Sequence, residues 1–393
     1  MKYTVRRGLT RVTAPPIAEA QGWASDLPGD GRALLDVAQA VPGYPPAEAL
    51  RAHLAAAMER PELHRYTGIL GTQELRSALA GHLSAFYAGV VSAEQVAITA
   101  GCNQAFCLAT SALAGRDDEV ILPLPYYFNH QMWLEMQGIR PVHLPYTPER
   151  SAVPDPVEAA RRITRRTRAI MLVTPNNPTG AVYPPDVIAA FFELARAQGI
   201  ALIVDETYKD FLDHGGPSHA LFGRSDWADT LIQLYSFSKS YALSGHRVGS
   251  IAAAPDFLEQ VAKAADCIAI CPSAVGQEAA LFGLRHLDGW REENRQIMAG
   301  RVAALREAFA AKELRYKLAS AGAYFAYLRH PFVGEPASQV ARRLTLQHKV
   351  LALPGEMFGP GQESYLRLAF ANLPGEAFPE LVERLIESQE GGS

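Results

Sequence analysis

One lysine is set among hydroxyl and guanidinium side chains. Lys239 follows an apolar segment, with Ser236 and Ser238 just before it and Arg247 shortly after it. A lysine amine can form a Schiff base with a carbonyl compound, and the hydroxyls and guanidinium can hold a phosphate through charge-assisted hydrogen bonds. The alternative is an exposed loop lysine beside serines that cap a turn. The pattern alone leaves both interpretations open.

Two further polar segments directly follow apolar runs. Asp205 ends the run Ala-Leu-Ile-Val, and Asn177 belongs to the turn sequence Thr-Pro-Asn-Asn-Pro-Thr-Gly. If both runs are buried parallel strands, these side chains meet at the edge of the sheet where α/β proteins bind ligands. Asp205 could there pair with a protonated heterocyclic nitrogen, whereas capping of the next helix is the alternative. For Asn177 the alternative is a plain turn.

Three other segments could bind a charged or flat ligand. The turn Gly101–Asn103 lies at a predicted strand–helix junction, where free backbone N–H groups bind anions. The aromatic cluster Tyr126–Phe128 could stack on a flat ring or belong to the core. Arg367 interrupts the apolar segment Tyr365–Phe370, so it needs either an internal partner or a ligand carboxylate.

Apolar runs predict the strands that would position these residues. Most runs are continuous rather than alternating, as in parallel strands covered by helices on both faces. Helical patterns separate them, which is the order expected of an α/β fold with a mostly parallel sheet. The predicted strands are Val96–Thr99, Glu119–Leu122, Pro141–Leu144, Ala169–Val173, Ala201–Val204, Thr230–Tyr235 and Val248–Ala253, and the helices include Gln104–Ala114, Pro156–Ile163 and Asp186–Gln198.

The order of elements changes after about Ser273, which predicts a second, smaller α+β domain. We expect an N-terminal segment at residues 1–45 that packs with the small domain, a large domain at 46–275 and the small domain at 276–393. The elements predicted after Ser273 are one long or broken helix at Val275–Lys312, strands near Ala323–Leu328, Val350–Leu353 and Tyr365–Phe370, and a helix at Pro336–His348.

Composition excludes several classes of protein. The 393 residues carry a net charge of −4, and 48% of them are hydrophobic, so nothing favours nucleic acid or an anionic membrane as a partner. The amino end lacks the apolar core of a secretory signal, and no run of about 18 apolar residues predicts a membrane span. The spacing of the four cysteines fits neither a disulfide framework nor a zinc ribbon, so no metal is expected. A cytoplasmic protein is predicted.

The combination of Asn-Asn-Pro-Thr-Gly, Asp-Glu-Thr-Tyr and Ser-Phe-Ser-Lys-Ser-Tyr-Ala-Leu-Ser-Gly-His-Arg resembles the class I/II (fold type I) aminotransferases, which use pyridoxal 5′-phosphate. The resemblance extends from about Val37 to Ala371. It implies a large domain with a mostly parallel seven-stranded sheet and a smaller α+β domain. It also implies transfer of an amino group between an L-amino acid and a 2-keto acid in two half-reactions.

The resemblance implies three catalytic residues. Lys239 would carry the cofactor as an internal aldimine and transfer protons between the substrate Cα and the cofactor C4′. Asp205 would keep the pyridine nitrogen protonated. Tyr208, together with Asn177, would hydrogen-bond the ring oxygen O3′, which favours the deprotonated aldimine.

The resemblance also implies the binding residues. Tyr127 would stack on the cofactor ring, with Tyr126 as the alternative, and Arg367 would bind the substrate α-carboxylate with its planar fork. Asn177 and Ala40 complete the expected substrate site. Because one phosphate ligand would come from a second subunit, a homodimer with shared sites is expected. The predicted phosphate ligands are Gly101, Cys102, Asn103, Ser236 and Arg247, with Tyr66 from the neighbouring subunit.

Two positions depart from the family pattern. Ala40 stands where glycine is frequent, which puts a close backbone contact with the substrate in doubt, and His246 stands where tryptophan is frequent. A lyase or an oxidase on the same fold is the alternative function. A cofactor-binding regulator is disfavoured, because the residues before the large domain show no helix-turn-helix pattern.

Overall fold

The apolar runs predicted as strands form the central sheet of the protein. The structure is a computed structural model that describes residues 3–25, 27, 31–150 and 152–390. Residues 1–2, 26, 28–30, 151 and 391–393, which fall within the predicted domain ranges, lie outside the described residues. The strands are β1 Leu35–Asp36, β2 Val96–Thr99, β3 Glu119–Pro123, β4 Arg140–Leu144, β5 Thr167–Val173, β6 Ala201–Asp205, β7 Leu231–Ser236, β8 Gly249–Ala252, β9 Lys317–Gly322, β10 Phe325–Arg329, β11 Val350–Leu351, β12 Leu353–Pro354 and β13 Tyr365–Ala369.

Helices cover the sheets and connect their strands. Several begin with proline in the first turn, where the missing N–H costs nothing. The helices are α1 Arg7–Thr10, α2 Pro16–Ala24, α3 Glu48–Ala57, α4 Gln73–Phe86, α5 Cys102–Leu113, α6 Phe128–Gln137, α7 Pro156–Ala160, α8 Pro185–Gln198, α9 Phe237–Ser240, α10 Pro255–Ala269, α11 Ala274–His286, α12 Asp288–Ala308, α13 Ala337–His348 and α14 Phe378–Glu390.

The large sheet has seven strands in the order β2-β8-β7-β6-β5-β3-β4. Only β8 runs antiparallel to its neighbours in this sheet. Strands β5, β6 and β7 lie at its centre and are almost entirely buried, which explains their continuous apolar sequences. The predicted α/β fold with a mostly parallel seven-stranded sheet is confirmed.

A second, smaller sheet lies in the C-terminal part of the chain. Strands β12, β13, β10 and β9 form an antiparallel sheet in that order, and residues of α12, α13 and α14 share its apolar core. The helix predicted over Val275–Lys312 is broken at Leu287 into α11 and α12. Helix α11 packs on α3 and α4. The division of domains at residues 45 and 275 stays a prediction.

The segment after residue 34 attaches to the small sheets. Strand β1 pairs in parallel with β11, Val37 N–H donates to the Leu351 carbonyl at 2.9 Å, and Ala369 N–H donates to the Val37 carbonyl at 2.7 Å. These bonds lead residues 38–41 toward the carboxyl ends of the central strands. The described part of the chain contains no helix with the length and hydropathy of a membrane span.

Candidate active site

A cavity of about 250 Å³ lies at the carboxyl ends of β5, β6 and β7. This is the edge at which open α/β sheets bind ligands. Residues 39–41 close one side of it. The predicted site residues that line this cavity are Ala40, Cys102, Asn103, Tyr127, Asn177, Asp205, Tyr208, Ser236, Lys239 and Arg247.

Lys239 lies in the short helix α9, directly after β7. Ser236 begins this helix by accepting the Ser238 N–H at 3.2 Å, and Lys239 Nζ donates to the Ala40 carbonyl oxygen. Burial, aided by the positive charges of Arg247 and Arg367, lowers the pKa of Lys239 to about 8. A much larger fraction of this amine is therefore neutral near neutral pH than for an ordinary lysine, and the neutral amine is the nucleophile.

Asp205 is the last residue of β6 and is buried in the cavity wall. Thr207 N–H donates to its Oδ1 at 2.9 Å, and His130 Nε2 lies 3.8 Å from its Oδ2. Burial raises the pKa of Asp205 and lowers the pKa of His130 to about 3, so the imidazole is neutral. A buried carboxylate of this kind is suited to a cationic partner such as a protonated heterocyclic nitrogen.

His130 was not among the predicted site residues. It lies on α6, between the rings of Phe106 and Tyr127, at 4.1 and 5.1 Å between ring centroids. Its position one helical turn after Tyr127 was the available sequence signal, because residues three apart share a helix face. Tyr126 instead lies beside His143, 5.4 Å between centroids, so Tyr127 is the ring that faces the cavity.

Asn177 and Tyr208 present neutral polar groups beside the lysine. Asn177 lies in the turn after β5 and is almost fully buried. The ring centroid of Tyr208 is 6.0 Å from Lys239 Nζ. Burial raises the pKa of Tyr208 well above its ordinary value, so its hydroxyl keeps its proton and can donate a hydrogen bond to a ligand oxygen.

The turn before α5 forms an anion cradle. Gly101 has a left-handed φ of 83°, and a Cβ at this position would collide with Nη2 of Arg247. Arg247 itself donates to the Ala100 carbonyl at 3.2 Å and to the Ser244 carbonyl at 3.1 Å. Arg247, Ser236 and the residues Cys102 and Asn103 at the amino end of α5 line the same cavity, and such groups suit a phosphate.

Arg367 lies in β13 and is only 1% exposed. Its Nη1 donates to Asn177 Oδ1 at 3.3 Å and its Nη2 to the Ala38 carbonyl, while its Nε has no partner among the described residues. Burial lowers its pKa to about 10. No carboxylate in the described part of the chain forms an ion pair with it, and Arg367 is not among the residues that line the cavity.

Tyr66 lies outside this cavity. Its side chain is 79% exposed, in the loop after the 3-10 turn Pro61–His64. The two departures from the family pattern lie near the cavity: Ala40 contributes its carbonyl to Lys239, and His246 ends the 3-10 turn before Arg247.

The residues present fit pyridoxal phosphate. The cradle at Gly101 and Arg247 can hold its phosphate, Asp205 can pair with its ring nitrogen, and Lys239 supplies an amine for its aldehyde. Among the described residues, none form a cluster of three or more side chains suited to a metal ion. The fold and this site define a pyridoxal-phosphate-dependent enzyme of fold type I.

The chain belongs to the class I and II aminotransferases, because the model of that family matches residues 33–385. It is 27% identical to an aspartate aminotransferase of Pyrococcus horikoshii over 335 residues, 83% of each chain. It is 26% identical to aromatic-amino-acid aminotransferase 2 of Thermococcus litoralis, over 91% of this chain and 95% of the relative.

A solved structure agrees with these sequence comparisons. The aspartate aminotransferase of Thermus thermophilus with maleate superposes with a TM-score of 0.90 at 25% identity, covering 98% of this chain and 100% of that chain. The predicted family, the pyridoxal phosphate cofactor and the transfer of amino groups between amino acids and 2-keto acids are thereby confirmed. These relatives do not support the alternatives of a lyase, an oxidase or a regulator.

Proposed function

We propose that this aminotransferase works with the residues predicted from its sequence, and that Lys239 binds the cofactor covalently in the resting enzyme. The observation that carries the proposal is the Lys239 amine itself. It lies in the cavity with a pKa lowered to about 8, facing the same space as Asp205, Asn177 and Tyr208. When bound, pyridoxal phosphate supplies an electron-withdrawing ring that stabilises negative charge at the substrate Cα.

Lys239 also moves the proton in this proposal. With pyridoxal phosphate bound, the Lys239 amine would take the proton from the substrate Cα and return it at the cofactor carbon C4′. An amine with a pKa near the working pH is suited to both steps, because it can accept and release a proton at comparable cost. The Ala40 carbonyl, which accepts from Nζ, orients the amine within the cavity.

Asp205 would hold the ring nitrogen of the cofactor in its protonated form. The Thr207 N–H fixes the Asp205 carboxylate, and the neutral His130 packs beside it without competing as a cation. Tyr208 and Asn177 would donate to the ring oxygen, and Tyr127 would cover the ring face. Gly101, Cys102, Asn103, Ser236 and Arg247 would bind the phosphate.

Arg367 binds the α-carboxylate of the amino acid or keto acid. Its Nη1 lies 3.3 Å from Asn177 Oδ1, and its buried Nε has no partner among the described residues. Because the guanidinium is planar, it orients the carboxylate as well as attracting it. Ala40 lies within hydrogen-bond reach of Lys239 and therefore lines the space around the reacting Cα.

We further propose a homodimer in which Tyr66 completes the phosphate site of the neighbouring subunit. The support is its position: an aromatic residue that is 79% exposed and lies outside the cavity of its own chain. We also propose a cytoplasmic location, which the four unpaired cysteines support because disulfides are rare in reducing compartments.

We propose amino donors with a neutral, aromatic or large apolar side chain. Lys239 and Arg247 line the cavity and both have an assigned role, and no further lysine or arginine is among the described lining residues. The Thermococcus litoralis relative is named for aromatic amino acids, and the Pyrococcus horikoshii relative is named for aspartate. A panel of donors tests this point: aspartate or glutamate as the best donor would contradict it.

A single-turnover experiment tests the proposed reaction. Purified enzyme with bound pyridoxal phosphate is mixed with an amino donor and no keto acid. We expect one equivalent of keto acid and one of pyridoxamine phosphate per site. Continued keto-acid formation with ammonia release, and no pyridoxamine phosphate, would instead show elimination or oxidation.

A further inference from the structure

A buried polar cluster lies behind β7, outside the cofactor cavity. We call it the Asp210 cluster; it consists of Lys209, Asp210, Tyr235, Ser240 and Arg291. All but Arg291 are almost fully buried, and Arg291 enters from α12 with a side chain that is 18% exposed. None of these five residues lines the cavity, and the proposed reaction uses none of them.

The Asp210 carboxylate is the centre of this cluster. Its Oδ1 accepts from Lys209 Nζ at 3.0 Å and lies 3.5 Å from Arg291 Nη1. Its Oδ2 accepts from the Tyr235 hydroxyl at 2.7 Å and from the Ser240 hydroxyl. The two hydroxyl oxygens are themselves 2.8 Å apart. Four side chains from three parts of the chain therefore converge on one carboxylate.

This carboxylate is charged near neutral pH. Burial opposes its ionisation, but Lys209 and Arg291 outweigh that effect and hold the pKa of Asp210 well below its ordinary value. Nearby His82 is neutral, because burial lowers its pKa to about 3. The hydroxyls of Tyr235 and Ser240 therefore always find an ionised acceptor, and such hydrogen bonds are the strong ones.

The cluster connects the two segments that carry the cofactor-binding residues. Asp210 ends the segment that contains Asp205 and Tyr208. Ser240 directly follows Lys239, and Tyr235 directly precedes Ser236. The backbone pairing of β6 with β7 ends at Asp205 and Leu234. Beyond that point the Asp210 cluster ties the two segments together through side chains.

We propose that Asp210 is a positioning residue which, through Ser240 and Tyr235, holds the Lys239 turn in place relative to Asp205 and Tyr208. This inference rests on the proposed role of Lys239. Loosening the turn has two consequences. The amine reaches the substrate Cα less often in the correct geometry, which lowers kcat. The amine also becomes more exposed to water, which moves the pKa of Lys239 back toward that of an ordinary lysine.

The test removes both hydroxyls and leaves the charges paired, in the variant Tyr235→Phe/Ser240→Ala. A matched control is Tyr316→Phe/Ser388→Ala, since those hydroxyls form a buried Tyr–Ser hydrogen bond of 2.9 Å in the small domain. For each protein, apoenzyme is mixed with pyridoxal phosphate across a pH series, trapped with borohydride and digested. The initial rate of labelling of Lys239 is then plotted against pH, and melting temperature, kcat and KM are recorded.

We expect the midpoint of Lys239 labelling to rise by about one pH unit in the test variant, toward the ordinary lysine value. We expect kcat to fall about tenfold, while KM for the amino donor changes less than about twofold because Arg367 is untouched. The control variant should show a similar decrease in melting temperature but keep the wild-type labelling midpoint and kcat. Asp210→Asn, which also leaves the buried Lys209 without its carboxylate partner, melts lower still.

Three results separate the possible failures. If the test variant melts like the control and retains the wild-type midpoint and kcat, the positioning role is wrong. If the test variant does not fold, Ser240→Ala alone is measured. An unchanged labelling midpoint and an unchanged kcat in Ser240→Ala would also overturn the proposal. If wild-type protein is not labelled on Lys239 at all, the proposed function fails and not this inference.

Discussion

Arg367 and Asn177 join the two sheets at the candidate active site, with Nη1 of Arg367 donating to Oδ1 of Asn177 at 3.3 Å. Arg367 comes from β13 of the small sheet, and Asn177 comes from the turn after β5 of the large sheet. An arginine held by an amide and a carbonyl, with no carboxylate partner in the described part of the chain, keeps its charge available for a ligand.

This arrangement predicts that Arg367 is required for binding and is of little importance for folding. Arg367→Leu should leave the melting temperature and the lysine-bound cofactor nearly unchanged, because no buried carboxylate loses its partner. Binding of every amino acid and keto acid should weaken. Arg367→Lys retains the charge but loses the planar fork, so kcat/KM should fall more than about tenfold for all donors.

Arg384 is the matched control for this measurement. It is equally buried, but it donates to the Lys349 and Ala33 carbonyls and pairs with Glu380. Arg384→Leu should lower the melting temperature, whereas the molecules that remain folded should show wild-type kinetics. The assignment would be contradicted if Arg367→Leu unfolded most of the protein while the molecules that remained folded showed wild-type kinetics.

The close contact between Gly101 and Arg247 predicts that a side chain at position 101 lowers the affinity for the cofactor. In Gly101→Ala the new methyl group meets the Arg247 guanidinium and displaces it from the phosphate cradle. We expect the dissociation constant for pyridoxal phosphate to rise about tenfold or more, which corresponds to about 1.4 kcal/mol. Gly199→Ala is the control, because Gly199 also has a left-handed φ but no atom within 4 Å of the added Cβ. Equal loss of affinity in both variants would point to backbone strain alone.

The exposed position of Tyr66 predicts that its hydroxyl contributes to the cofactor site of a neighbouring subunit. Tyr66→Phe should weaken retention of the cofactor by about 1.5–3 kcal/mol at most, since it removes one hydrogen bond to a charged phosphate among several. Melting of the apoenzyme should not change. Tyr3→Phe, at a similarly exposed tyrosine, should have no effect on the cofactor. An active monomer in sedimentation at the assay concentration would rule out the shared site.

The lowered pKa of Lys239 predicts how cofactor capture depends on pH. Only the neutral amine attacks the aldehyde, so the capture rate of the apoenzyme should rise with pH and level off above about 8. A lysine with an ordinary pKa would continue to gain rate up to about 10.4. Stopped-flow absorbance across this range distinguishes the two cases, and continued increase beyond pH 9 would show that burial does not act on this amine as the structure indicates.

Much of the large sheet was predictable because its central strands are buried on both faces. Strand β2 has the predicted bounds, and β6 differs from its prediction by a single residue. Strand β9 was missed, since its Lys-Leu-Ala-Ser-Ala-Gly sequence is only partly buried and its pairing with β10 contains an irregularity. The break at Leu287 was left open, because the helical pattern continues across it.

Residues within short motifs were predictable as candidates, and contacts between distant segments were not. Asp205 ends a strand, and Lys239 and Asn177 follow the ends of strands, each within a recognisable sequence. By contrast, the carbonyl of Ala40 reaches Lys239 across 199 positions of the chain, and the approach of His130 to Asp205 depends on the tertiary placement of α6. The Asp210 cluster likewise depends on tertiary packing, which no local pattern indicates.

The most direct measurement of the central proposal is identification of the lysine that holds the cofactor. Purified protein, supplied with pyridoxal phosphate, should be yellow, and reduction with borohydride should bleach the visible band. Peptide mapping should then recover one pyridoxyl group per chain on Lys239 and none on the buried Lys209. A protein that stays colourless with added pyridoxal phosphate, or a label recovered on another lysine, would contradict the account.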